Sequence, residues 1–186
     1  MRRFTILIVL LGLGYLASPY WSVYRLAHGV RDSDQEILET YVDWSTLRQN
    51  VKEELAAVLA GNMATEMKEE DMLATAFATA IGPMIFNNMI DTYLNAASVT
   101  RLIKEKQSGA DNKDARGDFV PPVDAETLNS PLDAITWAFF DGPRSFAVKI
   151  EGKDQSDGQL KLIFRPHGLV WKLEDFVLPA VFHQDR

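Results

Sequence analysis

The chain opens on an uncharged apolar stretch that is long enough to cross a membrane. Residues 4–24 contain no Asp, Glu, Lys or Arg. As a helix they reach about 31 Å, against a hydrocarbon thickness of about 30 Å. We predict an uncleaved membrane anchor here, with a helical extension to residue 31. The alternative is a cleaved signal peptide, but neither Ala17 nor Ser18 has a small residue two positions earlier, as a cleavage site requires.

Three aromatic residues, Tyr20, Trp21 and Tyr24, lie near the outer end of this stretch. Their amphipathic rings favour the headgroup level of a bilayer, so we predict that they form its interfacial belt. Arg2 and Arg3 precede the stretch, and the positive-inside rule therefore keeps the N-terminus cytoplasmic. The expected product is a single-pass protein of the bacterial inner membrane, with its bulk in the periplasm.

Beyond residue 32 the apolar positions first recur at spacings of three and four, which indicates helices. Ser33, followed three positions later by Glu36, predicts a capping box. Ser98 is predicted to cap the last helix. The predicted helices cover residues 33–42, 43–61, 67–81, 84–94 and 98–106.

After Pro121 and Pro122 the apolar period changes to two, which indicates strands. The predicted strands cover residues 135–140, 146–150, 160–162 and 169–178. Short turns between them predict an antiparallel meander of about four strands. In the last strand Leu169, Trp171 and Leu173 alternate with Val170, Lys172 and Glu174. Because Lys172 and Glu174 mark the outward face, we expect the first set to face the helices. Trp44 and Trp137 are also predicted to lie in the core.

Helices followed by strands give an α+β fold, with several helices packed on a C-terminal sheet. Residues 108–118 have no apolar period and predict a mobile linker. We therefore divide the chain into the anchor with its extension, residues 1–31, and a single periplasmic α+β domain, residues 32–186.

The charge balance and the lack of cysteine exclude several classes of function. The 186 residues include 19 basic and 26 acidic side chains, a net charge of -7. Without Arg2 and Arg3 the remainder carries 17 basic against 26 acidic side chains, and such a domain repels nucleic acid. The absence of cysteine removes disulfides, thiolate metal sites and cysteine nucleophiles.

No motif for catalysis or metal binding is found. The three histidines, His28, His167 and His183, do not share the spacing of a helical metal site. A nucleophile elbow and a phosphate-binding loop are also missing from the sequence. We therefore predict no catalytic residue, no cofactor and no metal, and we expect that the protein is not an enzyme.

Three stretches carry a family resemblance. They are Ala-Ser-Pro-Tyr-Trp-Ser-Val-Tyr-Arg-Leu at residues 17–26, Val-Asp-Trp-Ser-Thr-Leu-Arg at 42–48, and Gly-Leu-Val-Trp-Lys-Leu-Glu-Asp-Phe-Val-Leu-Pro at 168–179. Together they resemble the bacterial DUF2939 family, a domain of unknown function. The resemblance implies a small anchored envelope protein without known catalytic residues. The order of helices and meander is also similar to NTF2-like and cystatin-like folds.

Two functions from different classes follow, with an unrecognised hydrolase as a third. The first is a non-enzymatic interaction or accessory module of a membrane complex, whose partner is an unknown envelope protein. The alternative is a binding module for an apolar ligand such as a lipid. Its site would be lined by Met84, Ile85, Phe86 and Met89, because methionine adapts to irregular apolar shapes.

Overall fold

The computed structural model describes residues 2–65, 87–108, 125–151 and 159–177. Its helices are α1 (Arg2–Arg31), α2 (Gln35–Tyr41), α3 (Trp44–Thr65), α4 (the described residues 87–93), α5 (Ala96–Gln107) and α6 (Ala125–Asn129). Its strands are β1 (Ile135–Gly142), β2 (Ser145–Glu151), β3 (Gln159–His167) and β4 (Val170–Val177). The predicted α+β fold with a four-stranded meander is confirmed.

The four strands form one antiparallel sheet in the order β1-β2-β3-β4. Because β1 and β3 run in the same direction, the two turns that follow them lie at the same end of the sheet. These turns consist of Pro143 with Arg144 and of Gly168 with Leu169. The four residues together are termed the sheet tip. At the outer edge of β4, the backbone N–H of Asp43 donates to the carbonyl of Leu173 at 2.8 Å, which ties the α2–α3 connection to the sheet.

A single cluster of buried side chains joins the helices to the sheet. Its members are Val23, Leu26, Leu38, Val42, Leu47, Leu94, Ala96, Ile103, Phe146, Val148, Phe164 and Trp171. Val23 and Leu26 belong to α1, so the second half of this helix is part of the α+β core. The division predicted between residues 31 and 32 stays a prediction, but the core draws on residues from both sides of it.

Two helix starts differ from their predictions. Ser33 does not cap α2. Asp34 does, and its side chain accepts the N–H groups two and three residues later. Ser33 instead takes a left-handed φ of 52° and donates its hydroxyl to Gln107 at 2.9 Å. Likewise Asn95, not Ser98, caps α5, because the Asn95 side chain accepts the Ser98 N–H. In each case two nearby polar residues could cap the helix N-terminus, and the capping residue is the one whose backbone is extended.

The prediction for Trp171 is confirmed, since it is 2% exposed. Two other apolar predictions are wrong. Leu169 is 96% exposed because Gly168, with a φ of 65°, turns the chain before β4 begins. Trp137 is 42% exposed because it lies on the face of β1 opposite to Phe140, which packs against the core. The predicted helix at 67–81, and the predicted linker apart from Ser108, lie outside the described residues.

Candidate functional site

Helix α1 is long and apolar enough to cross a membrane, and it has two unlike halves. Residues 2–14, termed the exposed half, are exposed along their whole length. Between Phe4 and Leu13 the large apolar side chains are 53–68% exposed. Residues 15–31, termed the packed half, contribute Ser22, Val23 and Leu26 to the buried interior. One uninterrupted helix therefore joins an exposed apolar segment to the core of a folded domain.

Tyr15 lies where α1 and the sheet tip meet. Its hydroxyl donates to the carbonyl of Pro143 at 2.5 Å. Its ring centroid lies 6.2 Å from that of Phe140 and 5.8 Å from that of Trp171. Such aromatic pairs add stabilisation beyond the area they bury. The contact fixes one turn of the sheet beside the middle of α1.

Ser18 supplies a hydrogen bond that the helix lacks because of Pro19. Pro19 has no N–H, so the carbonyl of Tyr15 loses its helical partner. The Ser18 hydroxyl donates to that carbonyl at 2.8 Å, and the same oxygen accepts the indole N–H of Trp171 at 2.8 Å. Ser22 adds a second bond, since its hydroxyl oxygen accepts the backbone N–H of Trp171 at 3.1 Å. Two serines on one face of an apolar helix thus hold a buried tryptophan.

The aromatic residues predicted to form an interfacial belt lie in the packed half. Tyr20, Trp21 and Tyr24 are 43%, 62% and 44% exposed. Tyr20 also contacts the sheet, because its hydroxyl donates to the carbonyl of Ala138 at 3.3 Å. The rings of Trp21 and Tyr24 stack on each other with centroids 5.9 Å apart. Their role at a membrane interface stays a prediction.

The predicted apolar-ligand surface is described only at one residue. Met89 lies half-buried in α4, whereas Met84, Ile85 and Phe86 lie outside the described residues. Helix α4 is held against α3 by an ion pair of 2.6 Å between Lys52 and Asp91. The ligand-binding role of these four residues stays a prediction.

A polar cluster that the sequence analysis missed lies at the edge of β4. The imidazole Nε2 of His167 lies 2.5 Å from a carboxylate oxygen of Glu174 and 3.7 Å from one of Asp43. The other oxygen of Glu174 lies 3.3 Å from the guanidinium of Arg165. One imidazole and two carboxylates could hold a divalent cation such as zinc. Arg165 already neutralises Glu174, however, so the cluster suits a clamp between α3 and the sheet.

A β-bulge explains why periodicity did not reveal this cluster. Ile163 pairs with Asp175 and Phe164 pairs with Leu173, which leaves Glu174 as an extra residue on β4. A bulge reorients the side chain that it carries. Glu174 is thereby brought to Asp43, although 131 positions separate the two in the chain.

The pKa values of two carboxyls near this edge shift in opposite directions, although burial tends to raise both. Burial tends to raise the pKa of Asp43, but the Ser45 hydroxyl and the Thr46 N–H donate to the carboxylate and hold its pKa below the usual value. For Asp175 burial prevails, and its pKa is raised. Asp43 is therefore stabilised as an anion at the start of α3, where the helix dipole also favours negative charge.

Comparison with known proteins gives a family. Residues 8–102, slightly more than half of the chain, match the family described as "Protein of unknown function (DUF2939)". The chain belongs to the DUF2939 family. The match begins in the exposed half of α1 and ends within α5, so the DUF2939 region includes the packed half and stops short of the sheet. The resemblance at residues 17–26 and 42–48 falls within it, and the stretch at 168–179 lies outside it.

No curated protein and no solved structure matches the chain. The similarity to NTF2-like and cystatin-like folds therefore stays a prediction.

Proposed function

We propose that this DUF2939 protein is a non-enzymatic, membrane-anchored interaction module that serves a membrane complex of the bacterial envelope. The observation that carries the proposal is the exposed half of α1. Its apolar side chains from Phe4 to Leu13 form a continuous exposed surface on a helix. Exposure of apolar surface to water costs about 25 cal/mol per Å². Soluble monomers rarely leave large patches of this kind uncovered, and a bilayer would cover this one.

The positive charges set the proposed orientation. Arg2 and Arg3 flank the exposed half on its short N-terminal side. The positive-inside rule then keeps that side cytoplasmic, and the folded unit lies in the periplasm. The packed half supports a role that depends on position, because it fixes the sheet to the anchor without an intervening loop.

The outer face of β1 is the surface we propose for a partner protein. Trp137 and Phe139 are 42% and 57% exposed there, with ring centroids 6.3 Å apart. Aromatic side chains are enriched in protein interfaces. Lys149 lies 5.6 Å above the Trp137 ring and supplies a polar rim.

The anchor is tested by fractionating cells that make the full chain. We expect the protein in the membrane pellet after alkaline extraction, and a reporter fused after Arg186 should be active only in the periplasm. Changing both Leu10→Arg and Leu11→Arg should release it, because charges at the centre of a membrane helix cost about 2.5–3.5 kcal/mol each. The paired Leu→Ala variant at the same positions is the control. Release of the unmodified chain by alkali would refute the anchor, and a reporter active in the cytoplasm would refute the orientation.

The partner surface is tested by purification of the full chain in mild detergent, with mass spectrometry of both proteins and lipids. Trp137→Ser with Phe139→Ser should abolish recovery of a specific envelope protein, whereas Glu53→Ser on the exposed side of α3 should not. Recovery of a bound lipid without any protein partner would favour the apolar-ligand module instead.

A further inference from the structure

The sheet tip lies toward the N-terminal end of α1, the end that enters the membrane in the proposed function. Along β1, Ala138 accepts a hydrogen bond from Tyr20 and Pro143 accepts one from Tyr15. The contact residue on the strand side is five positions later in the chain, whereas the contact residue on α1 is five positions earlier. Strand β1 therefore runs toward the N-terminus of α1, and its turn lies beside Tyr15.

Leu169 lies in the second turn at the same end. Gly168 has a positive φ and Leu169 does not, which is the pattern of a type II′ hairpin turn. The backbone of Trp171 bonds to Ser22, and two strand residues span about 7 Å. Leu169 therefore lies about one helical turn closer to the N-terminus of α1, near the level of Ser18. Its side chain is 96% exposed.

The exposed half is too short to keep the sheet tip clear of a bilayer. From Phe4 to Tyr15 the helix rises only about 17 Å, whereas the hydrocarbon of a bilayer is about 30 Å thick. The aromatic residues predicted to mark the far interface, Tyr20 to Tyr24, lie beyond the level of Tyr15. The two turns of the sheet tip are thus on the membrane side of that interface.

We propose that the sheet tip is a lipid-binding surface for the leaflet from which α1 emerges. This inference rests on the proposed anchoring by α1. The exposed Leu169 side chain inserts at the boundary between headgroups and acyl chains. Arg144, exposed in the other turn, donates to lipid phosphates, and its long side chain can reach them from below the headgroup level. The nearby Asp141 is paired with Lys161 at 2.7 Å and so opposes the phosphates less.

The absence of cysteine allows a direct test with single-cysteine variants of the full chain. Leu169→Cys places a label at the sheet tip, Leu10→Cys places one in the exposed half, and Gln159→Cys places one at the opposite end of the sheet. All three positions are exposed, so labelling should not disturb the core. Each variant is labelled with an environment-sensitive fluorophore and reconstituted into vesicles of phosphatidylethanolamine and phosphatidylglycerol. Lipids brominated near the headgroup or deep in the chain serve as quenchers.

We expect the emission of labels at positions 10 and 169 to be blue-shifted in vesicles, and we expect no blue shift for the label at position 159. Shallow bromines should quench the label at 169 more strongly than deep ones, and the order should reverse at position 10. Arg144→Gln should reduce quenching at 169 without affecting position 10. If position 10 is quenched and 169 behaves like 159, the lipid-binding tip is refuted while the anchor stands. If position 10 is not quenched either, the proposed anchoring itself fails.

Discussion

The two halves of α1 differ in composition and in surroundings, because residues 4–14 are almost entirely apolar whereas residues 15–31 include two arginines and a histidine. Leu10 in the exposed half is 60% exposed, and Leu26 in the packed half is 7% exposed. What distinguishes the packed half is a stripe of small or hydroxyl-bearing residues at helical spacing, formed by Tyr15, Ser18, Ser22 and Gly29. The first three bond to the sheet, and Gly29 lets α2 approach closely. In an apolar helix, the polar and small residues mark the docking face better than the large apolar ones.

The largest expected effect comes from removing one half or the other. A chain that begins at residue 15 should fold, whereas one that begins at residue 32 should not. The shorter chain loses Val23 and Leu26, each worth about 1.5–3 kcal/mol of burial, from a domain with about 5–15 kcal/mol in total. Cooperative urea unfolding followed by tryptophan fluorescence is the measurement. A cooperative transition in the chain from residue 32 would show that the packed half is not needed by the core.

The next effect concerns the tryptophan that the packed half holds. Trp171→Ala should destabilise the full chain in detergent by about 3–5 kcal/mol, since it removes a buried ring and leaves a cavity. Trp171→Phe should cost less, because it keeps most of the packing and loses the bond to Ser18. Leu169→Ala, two residues earlier and fully exposed, is the matched control and should leave the melting temperature unchanged. Equal melting temperatures for Trp171→Ala and Leu169→Ala would contradict the core assignment.

Substitution of one glycine in each half of α1 allows a direct comparison of the two halves. A Cβ on Gly29 would lie 2.5 Å from the side chain of Ile37, whereas one on Gly14 would meet no atom within 4 Å. Gly29→Ala should therefore destabilise by about 1–3 kcal/mol through overpacking, whereas Gly14→Ala should not destabilise, because alanine is the better helix former. Thermal unfolding of both variants measures the difference. Adding Ile37→Ala should recover part of the loss at Gly29, and a failure to do so would place the strain elsewhere.

The smallest expected effect is on the polar clamp at the β4 edge, which α1 does not contribute to and which should depend on pH. The pKa of Asp43 is lowered in the fold. Its charge therefore adds stability above about pH 4, its unfolded pKa, and this stability is lost as the pH falls through the lower folded value. Asp43→Asn, which keeps a capping oxygen, should be less stable than the unmodified chain at pH 7, and the gap should close in acid. Urea midpoints across this range are the measurement.

Asp175→Asn is the control, and it should change the stability in the opposite direction to Asp43→Asn. The pKa of Asp175 is raised by burial, so its charge opposes folding above the folded pKa. The amide should therefore be more stable than the carboxylate at pH 7, and the difference should vanish below the unfolded pKa. If Asp43→Asn does not lower the midpoint at pH 7, the clamp does not depend on the charge of Asp43.

The sheet was predictable because alternation determines both strand positions and inward faces. Phe146 and Val148 are both buried as expected, although Ala147 between them is buried as well. The start of β4 was misjudged by one residue, since a turn glycine followed by leucine reads like a strand. Periodicity also could not place Trp137, because aromatic residues occupy either face of an edge strand and only the packed helices decide which face is covered.

The packing of the second half of α1 against the sheet was harder to predict. Apolar residues that stay exposed and apolar residues that face a core look alike in sequence, so residues 4–24 predict one span without revealing which part of it packs. A detectable signal was present in the spacing of Tyr15, Ser18 and Ser22. The Asp43, His167 and Glu174 cluster had no such signal, because a bulge and a long separation in sequence produce it.

Helix α1 is continuous through residues 2–31, so the exposed half and the folded unit are joined by helix and not by a loop. The angular position of the sheet around the helix axis is then set by counting residues, at about 100° per residue. One residue inserted between Gly14 and Tyr15 would swing the Trp137 face by that angle and raise it by about 1.5 Å. In the proposed anchoring, a tilt of the helix in the bilayer would move the sheet with it, because no loop lies between them.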